Sequence, residues 1–267
     1  MNQENLVFLK LGGSLITDKT RPLTPQLEII NRIAEEIVGA MDAAPDLKLV
    51  IGHGSGSFGH AVANQYQTQS GGFSDDYWDG FAKVWLAARL LNQIVIEKLS
   101  DAGLPVIAFP PSASTLSSNH TIREWDTAAL ELAVSHGLIP LLQGDVVFDS
   151  VLGGTIVSTE QVFQFLAARL RPSRILLAGL DRGVYLDAEK PEEVVKQITP
   201  TTFDTILPAL TGAQAVDVTG GMLSKVSLMV ELIAANPDLQ IDIFSGIDPG
   251  NLYDALLGLH PGTLITV

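Results

Sequence analysis

Residues 47–60 read Leu-Lys-Leu-Val-Ile-Gly-His-Gly-Ser-Gly-Ser-Phe-Gly-His. Leu47 to Ile51 has the length and apolar character of a buried strand, and Gly52, Gly54, Gly56 and Gly59 follow it at once. Glycines at a strand end let backbone N–H groups approach an anion closely, at the place where α/β folds bind ligands. Gly54, Gly56 and Gly59 also spell G-x-G-x-x-G. A dinucleotide fingerprint needs a βαβ unit and an acidic residue at the next strand end. Residues 64–76 are polar and glycine-containing, so they read as a loop or lid, which argues against a NAD site. His60 closes the glycine loop and is a candidate ligand-binding side chain.

Outward from this stretch the chain alternates strand and helix. Leu6–Leu11, Pro105–Phe109, Leu138–Leu142, Ile175–Ala178, Ile241–Phe244 and Leu264–Val267 read as strands. A helix is expected from Thr24-Pro25 onward, since Ile29, Ile30, Ile33, Ile37 and Val38 recur at helical spacing. Further helices are expected over 78–99, from Asp126 to about His136, and from a capping box at Ser158 and Gln161 to about Leu170. Asp145–Ile156 reads as a hairpin with Gly153-Gly154 as its turn. Strands separated by helices imply an α/β fold with a mostly parallel sheet covered on both faces, a three-layer α/β/α sandwich. No linker or internal repeat divides the 267 residues, so one domain with two lobes is expected.

Composition narrows the function. Sixteen Lys plus Arg stand against 30 Asp plus Glu, a net charge of −14. That balance argues against nucleic-acid binding, and a site for an anion has to gather its few cations locally. With no cysteine, disulfides and thiolate metal sites are excluded. The apolar runs are too short for a membrane span, and a cytoplasmic protein is expected.

Two more glycine motifs carry a cation. Lys10-Leu11-Gly12-Gly13-Ser14 ends the first strand and runs on to Ile16-Thr17-Asp18-Lys19; a lysine is costly to bury there without a partner. Asp217-Val218-Thr219-Gly220-Gly221-Met222 opens a helix whose free N–H groups and positive dipole end suit an anion, with Lys225 one turn in. Each motif alone is also consistent with a plain turn or a capped helix. Together they describe a polyphosphate site in an acidic protein.

These motifs resemble the amino acid kinase superfamily and, within it, the isopentenyl phosphate kinases, from Lys10 to Thr263. The pattern K-L-G-G-S-x-I-T-x-K matches Lys10–Lys19, and S-F-G-H matches Ser57–His60. Gly144-Asp145-Val146-Val147, Asp181 with Gly183-Val184-Tyr185, and Asp217–Met222 with Lys225 match as well. The resemblance implies an ATP-dependent kinase that uses magnesium and a small phosphate monoester as acceptor, commonly as a homodimer. An N-terminal lobe of about residues 1–170 would hold the acceptor and a C-terminal lobe of about 171–267 the ATP. Lys10, Lys19 and Lys225 would bind and stabilise the transferring phosphoryl group, with His60 on the acceptor's phosphate. Gly12, Gly13, Ser14, Ser55, Gly220 and Gly221 would lie on the ATP side, and Asp181, Gly183 and Tyr185 near the base. Gly54, Gly56, Gly144 and Asp145 would line the acceptor site.

The chain departs from the family pattern twice. Ser158-Thr159-Glu160 stands where S-G-D is common, so Glu160 would take over the orientation of the lysines. Gly80-Phe81-Ala82-Lys83-Val84-Trp85 is less polar than expected at its end and would help form the acceptor's apolar pocket. Two other readings stay open: a kinase of this fold with a nucleoside monophosphate, phosphonate or amino acid acceptor, and a non-catalytic nucleotide-binding module.

Overall fold

The run Leu6–Leu11 sends its side chains alternately to two cores, Val7, Leu9 and Leu11 to one, Leu6 and Phe8 to the other. Burial on both faces is what a central parallel strand requires, and it explains the unbroken apolar run before Lys10. The computed structural model describes residues 5–185, 193–212 and 221–267. Its strands are β1 (Leu6–Leu11), β2 (Lys48–His53), β3 (Val106–Ala108), β4 (Thr115–Ser118), β5 (Thr121–Trp125), β6 (Ile139–Gln143), β7 (Asp145–Asp149), β8 (Gly153–Val157), β9 (Arg174–Gly179), β10 (Gln197–Ile198), β11 (Gln240–Ser245) and β12 (Thr263–Ile265). Its helices are α1 (Gly13–Ile16), α2 (Leu27–Ala43), α3 (Gly56–Tyr66), α4 (Asp75–Asp101), α5 (Ala128–Ser135), α6 (Thr159–Leu170), α7 (Pro200–Gly212), α8 (Gly221–Ala235) and α9 (Asn251–Leu256).

Eight strands form one sheet in the order β10-β12-β11-β9-β1-β2-β6-β3, parallel except where β12 meets β11. Helices α2, α4 and α9 bury apolar stripes on one face, and α5, α6 and α8 on the other. The fold is thus the three-layer α/β/α sandwich expected from the sequence. Strand β1 lies between β2 and β9, where the connections depart in opposite directions. The crevice beyond the carboxyl ends of these three strands is where such sheets bind ligands.

Helix boundaries differ from the sequence reading in several places. Helix α2 starts at Leu27 rather than at Thr24-Pro25, because Pro25 is held in a bridge to Thr17. Residues 64–66 extend α3, and Thr68–Ser70 form a short 3₁₀ turn, so the expected loop over 64–76 is mostly ordered into turns and helix. The capping box is present as read: Gln161 N donates to Ser158 Oγ at 3.2 Å, and Ser158 N to Gln161 Oε1 at 2.8 Å.

A second sheet, β5-β4-β7-β8, stands beside the first, and its β4–β5 hairpin was not foreseen. The β7–β8 turn is also not at Gly153-Gly154. Both glycines lie in β8, where a Cβ on Gly154 would come within 2.7 Å of the Phe81 ring. The turn is instead built on Asp149, 3% exposed, which accepts hydrogen bonds from Val151 N and Leu152 N, both at 2.9 Å. The same carboxylate accepts from Ser117 Oγ at 2.8 Å and from Asn119 N and His120 N at 3.0 Å, fixing the left-handed turn of the β4–β5 hairpin. Burial alone would raise the Asp149 pKa, but these donors outweigh it and hold the carboxyl well below the usual range. Replacing Asp149 by Ala strands several donors at once. The expected loss is about 3 kcal/mol of unfolding free energy by urea titration at pH 7. That loss shrinks as the pH falls below about 4, where the unfolded carboxyl protonates; a loss under about 1 kcal/mol at pH 7 would show that the turns hold without it.

Candidate active site

The site is set by how α6 sits on the sheet. The rings of Phe8 on β1 and Phe163 on α6 pack with centroids 5.1 Å apart. Two residues on from Phe8, on the same face of the strand, is Lys10; one turn back from Phe163, on the same side of the helix, is Glu160. The ring contact therefore brings the ammonium and the carboxylate together, and Lys10 Nζ donates to Glu160 Oε1 in a short contact. Their side chains are only 12% and 13% exposed. Gly52 makes the close approach possible, since a Cβ there would lie 2.6 Å from Thr159 Cγ2. Burial alone would push the Glu160 carboxyl up. The charge of Lys10, and next that of Lys225 at the start of α8, more than offset it and hold the pKa below its ordinary value. Two of the three lysines named by the sequence thus converge on one carboxylate.

Across the crevice the loops after β1 and β2 touch backbone to backbone. A Cβ on Gly54 would stand 2.8 Å from Gly13 N, and one on Gly13 would run into the backbone of Gly56. Thr17 Oγ1 locks the pair, donating to Gly13 O at 2.7 Å and accepting from Ser57 N at 2.9 Å. Gly54 N donates back to Leu11 O at 3.0 Å. The N–H groups of Gly13, Ser14, Ser55 and Gly56 have no hydrogen-bond partner among the described residues. Four such donors on two touching loops, opposite two ammoniums, form a cradle for a polyanion.

The remaining sequence candidates are distributed around this cradle. His60 is exposed in the first turns of α3. Lys19 is exposed on the Asp18–Leu23 turn, which leans on Ser57, and makes no ion pair among the described residues. Gly144 N donates to His53 O at 3.1 Å, so Gly144 contributes backbone shape rather than a free donor. Asp145 is 1% exposed, and burial pushes its carboxyl up to about 6 against the donors of Ser112 and Val146. Asp181, Gly183 and Tyr185 form the turn after β9, pinned where Val184 N donates to Thr263 Oγ1 at 2.8 Å. This turn flanks a cleft lined by Arg182, Lys196, Asp248 and Asn251. Asp217 and Gly220 lie outside the described residues; Gly221 begins α8.

Phe81 and Val84 are buried in a small apolar cluster with Tyr77 and Val146. Trp78, Trp85, Val62 and Ala63 pack against it from α4 and α3, the helix that carries His60. Thr17, Thr159 and His53 bind these loops together, yet none was singled out from the sequence. The only signal was that each lies inside or next to a quoted motif.

Residues 5–244 match the amino acid kinase family. The chain is 34% identical over 266 residues to the isopentenyl phosphate kinase of Methanocaldococcus jannaschii, covering 97% of this chain and 98% of that protein. It is 32% identical over 272 residues to the isopentenyl phosphate kinase of Methanothermobacter thermautotrophicus, with 98% and 99% covered. An X-ray structure of isopentenyl phosphate kinase superposes with a TM-score of 0.81 at 29% identity, covering 98% of this chain and all of the other.

The Glu160 carboxylate yields a direct electrostatic expectation. Its folded pKa lies below the unfolded value of 4.5, so its stabilisation is complete above that pH and is lost as the pH falls. Glu160→Gln should cost about 2 kcal/mol at pH 7, with the difference from the parent closing towards pH 3. Urea titrations of both proteins at the two pH values would check it. A difference that is the same at both would mean that the charge pair contributes nothing.

Proposed function

We propose that this chain, which belongs to the amino acid kinase family, transfers the γ-phosphoryl group of ATP to isopentenyl phosphate, releasing isopentenyl diphosphate and ADP. The observation that carries the reading is the convergence of Lys10 and Lys225 on Glu160, opposite the free N–H groups of the two glycine loops. A phosphate monoester dianion is already a competent nucleophile, so the site has no need of a general base. One oxygen of the acceptor phosphate forms the new bond to the γ-phosphorus, and the bond to the bridging oxygen of ADP breaks. Charge spreads over the transferring group in a loose transition state, and fixed ammoniums and amide dipoles stabilise it there.

Glu160 holds the two ammoniums in place before the nucleotide arrives, which lowers the reorganisation needed in the reaction. Lys19 would close over the phosphates from its exposed turn. Gly12, Gly13 and Ser14 would meet the ATP phosphates, while Asp181 to Tyr185 would lie by the base, next to the Arg182 cleft. Gly54, Gly56 and His60 would hold the acceptor phosphate, and its five-carbon chain would run along the Trp78, Phe81 and Trp85 cluster. This assigns the acceptor to the first lobe and the nucleotide base to the second, with the ATP phosphates also meeting Gly12 to Ser14 of the first. No group of three His, Asp or Glu side chains suited to a metal occurs among the described residues, and Glu160 is engaged by two ammoniums. The described residues therefore offer magnesium no cage of their own; the ion would come with ATP, held by phosphate oxygens and water. No helix among the described residues is long and apolar enough to cross a membrane.

A homodimer fits the surface. β3 ends the large sheet, with Ile107 41% exposed, and α4, which packs on it, exposes Leu86 and Leu90 one turn apart. An unprotected apolar edge of this kind pairs readily with a second copy. Light scattering should give the mass of two chains, and Ile107→Lys should give one; a monomeric parent would remove the dimer from this account.

His60 supplies the test of the acceptor. With ATP present, the parent should convert isopentenyl phosphate to the diphosphate, followed by ³¹P NMR. His60→Ala should lower kcat/KM for isopentenyl phosphate by about 10²-fold or more while ATP affinity by calorimetry stays within a few-fold. His60→Gln, which keeps a neutral donor, should fall between. Parallel loss of ATP binding would place His60 in loop packing, and turnover of a nucleoside monophosphate or carboxylate in preference to isopentenyl phosphate would overturn the acceptor.

A further inference from the structure

His53 has no role in the chemistry above, yet it ends β2 at the edge of the cradle and is fully buried. Its Nδ1 lies 3.0 Å from Gly54 O, and its Nε2 lies 3.0 Å from Oδ1 of Asn92. Asn92 is itself buried, on a stripe of α4 otherwise made of Ala88, Leu91 and Val95. A polar pair set into an apolar stripe is costly unless each member is hydrogen-bonded, and here each serves the other. Burial disfavours the imidazolium and lowers the His53 pKa, so the ring is neutral at pH 7 and carries one N–H. Carried on Nδ1, that proton bonds Gly54 O. Nε2 then accepts from the Asn92 amide, whose two ends have the same shape.

The consequence lies one atom further on. The peptide joining Gly54 to Ser55 is planar and trans, so its C=O and N–H point in opposite directions. Drawing Gly54 O towards the buried ring turns the Ser55 N–H the other way. Left to itself, a peptide next to glycine flips at little cost. The Ser55 N–H is one of the four cradle donors without a partner among the described residues. The His53 carbonyl meanwhile accepts from Gly144 N at 3.1 Å and from Thr159 Oγ1 at 2.7 Å, tying the same point of the chain to the start of α6 beside Glu160.

We infer that His53, braced by Asn92, is a positioning residue: it fixes the Gly54–Ser55 peptide so that the Ser55 N–H, set between Gly54 and Gly56, faces the phosphate of the acceptor and not the ATP side where the family resemblance puts Ser55. The inference rests on the reading of this crevice as the phosphoryl-transfer site. It touches no reacting atom, so its effect should fall on acceptor binding and not on ATP.

Two substitutions separate the two ring contacts. In His53→Asn the amide nitrogen takes the place of Nδ1 and keeps the bond to Gly54 O, giving up Asn92. In His53→Gln it takes the place of Nε2 and keeps Asn92, giving up Gly54. Expected is a KM for isopentenyl phosphate raised about tenfold or more in His53→Gln, recovered to within about threefold in His53→Asn, with the KM for ATP unchanged in both. Binding of inorganic phosphate by calorimetry gives the same ranking without turnover, so it reports on His53 even if isopentenyl phosphate proves not to be the acceptor. Equal acceptor KM and equal phosphate affinity in His53→Gln and His53→Asn, with only the melting temperature lowered, would overturn the positioning role. So would a joint rise in the KM of acceptor and ATP.

Discussion

A lysine at the end of a central strand, walled in by helices, has to be matched by a countercharge brought from another part of the chain. Glu160 is that countercharge, and its position follows from packing: the Phe8–Phe163 contact sets where α6 crosses β1, and the capping box at Ser158 sets where α6 begins. In the first turn of a helix the carboxylate also gains from the positive end of the dipole. The same carboxylate then reaches Lys225 from a third segment. The pair is therefore less a source of stability than a way to keep two cations close together without a ligand. Two like charges held near each other repel, and a buried anion between them removes that penalty until a polyanion replaces it.

The acidic balance of the chain gives this arrangement its point. At a net charge of −14, the general field of the protein opposes the approach of ATP. Attraction has to come from short-range features that solvent screens little: paired ammoniums in a walled site and amide dipoles on glycine loops. The two sides of the crevice divide this work, with charge on the α6 and α8 side and neutral donors on the α1 and α3 side.

Much of the fold was legible because parallel strands are buried on both faces and so appear as plain apolar runs, each close to its observed place. The lysines, the glycine loops and the α6 cap were legible because each is a local pattern. What stayed hidden depends on contacts between distant residues. The β4–β5 hairpin turns on Asn119 and His120, left-handed without a glycine, and is pinned by Asp149 thirty residues away. Gly153-Gly154 misled because glycine serves close packing as readily as turning, and here it makes room for Phe81. His53 and Asn92 sit 39 residues apart and look like a loop histidine and a stray polar residue until the helix is laid on the strand.

Gly52 links the inheritance of these parts. The space its missing side chain leaves is filled by Thr159 and Phe163, so the helix that carries Glu160 rests directly on β2. In a descendant sequence a larger residue at 52 is tolerable only if 159 or 163 shrinks in the same lineage, or if α6 steps outward and draws its carboxylate away from Lys10. Positions 52, 159 and 163 are therefore bound to change as a group.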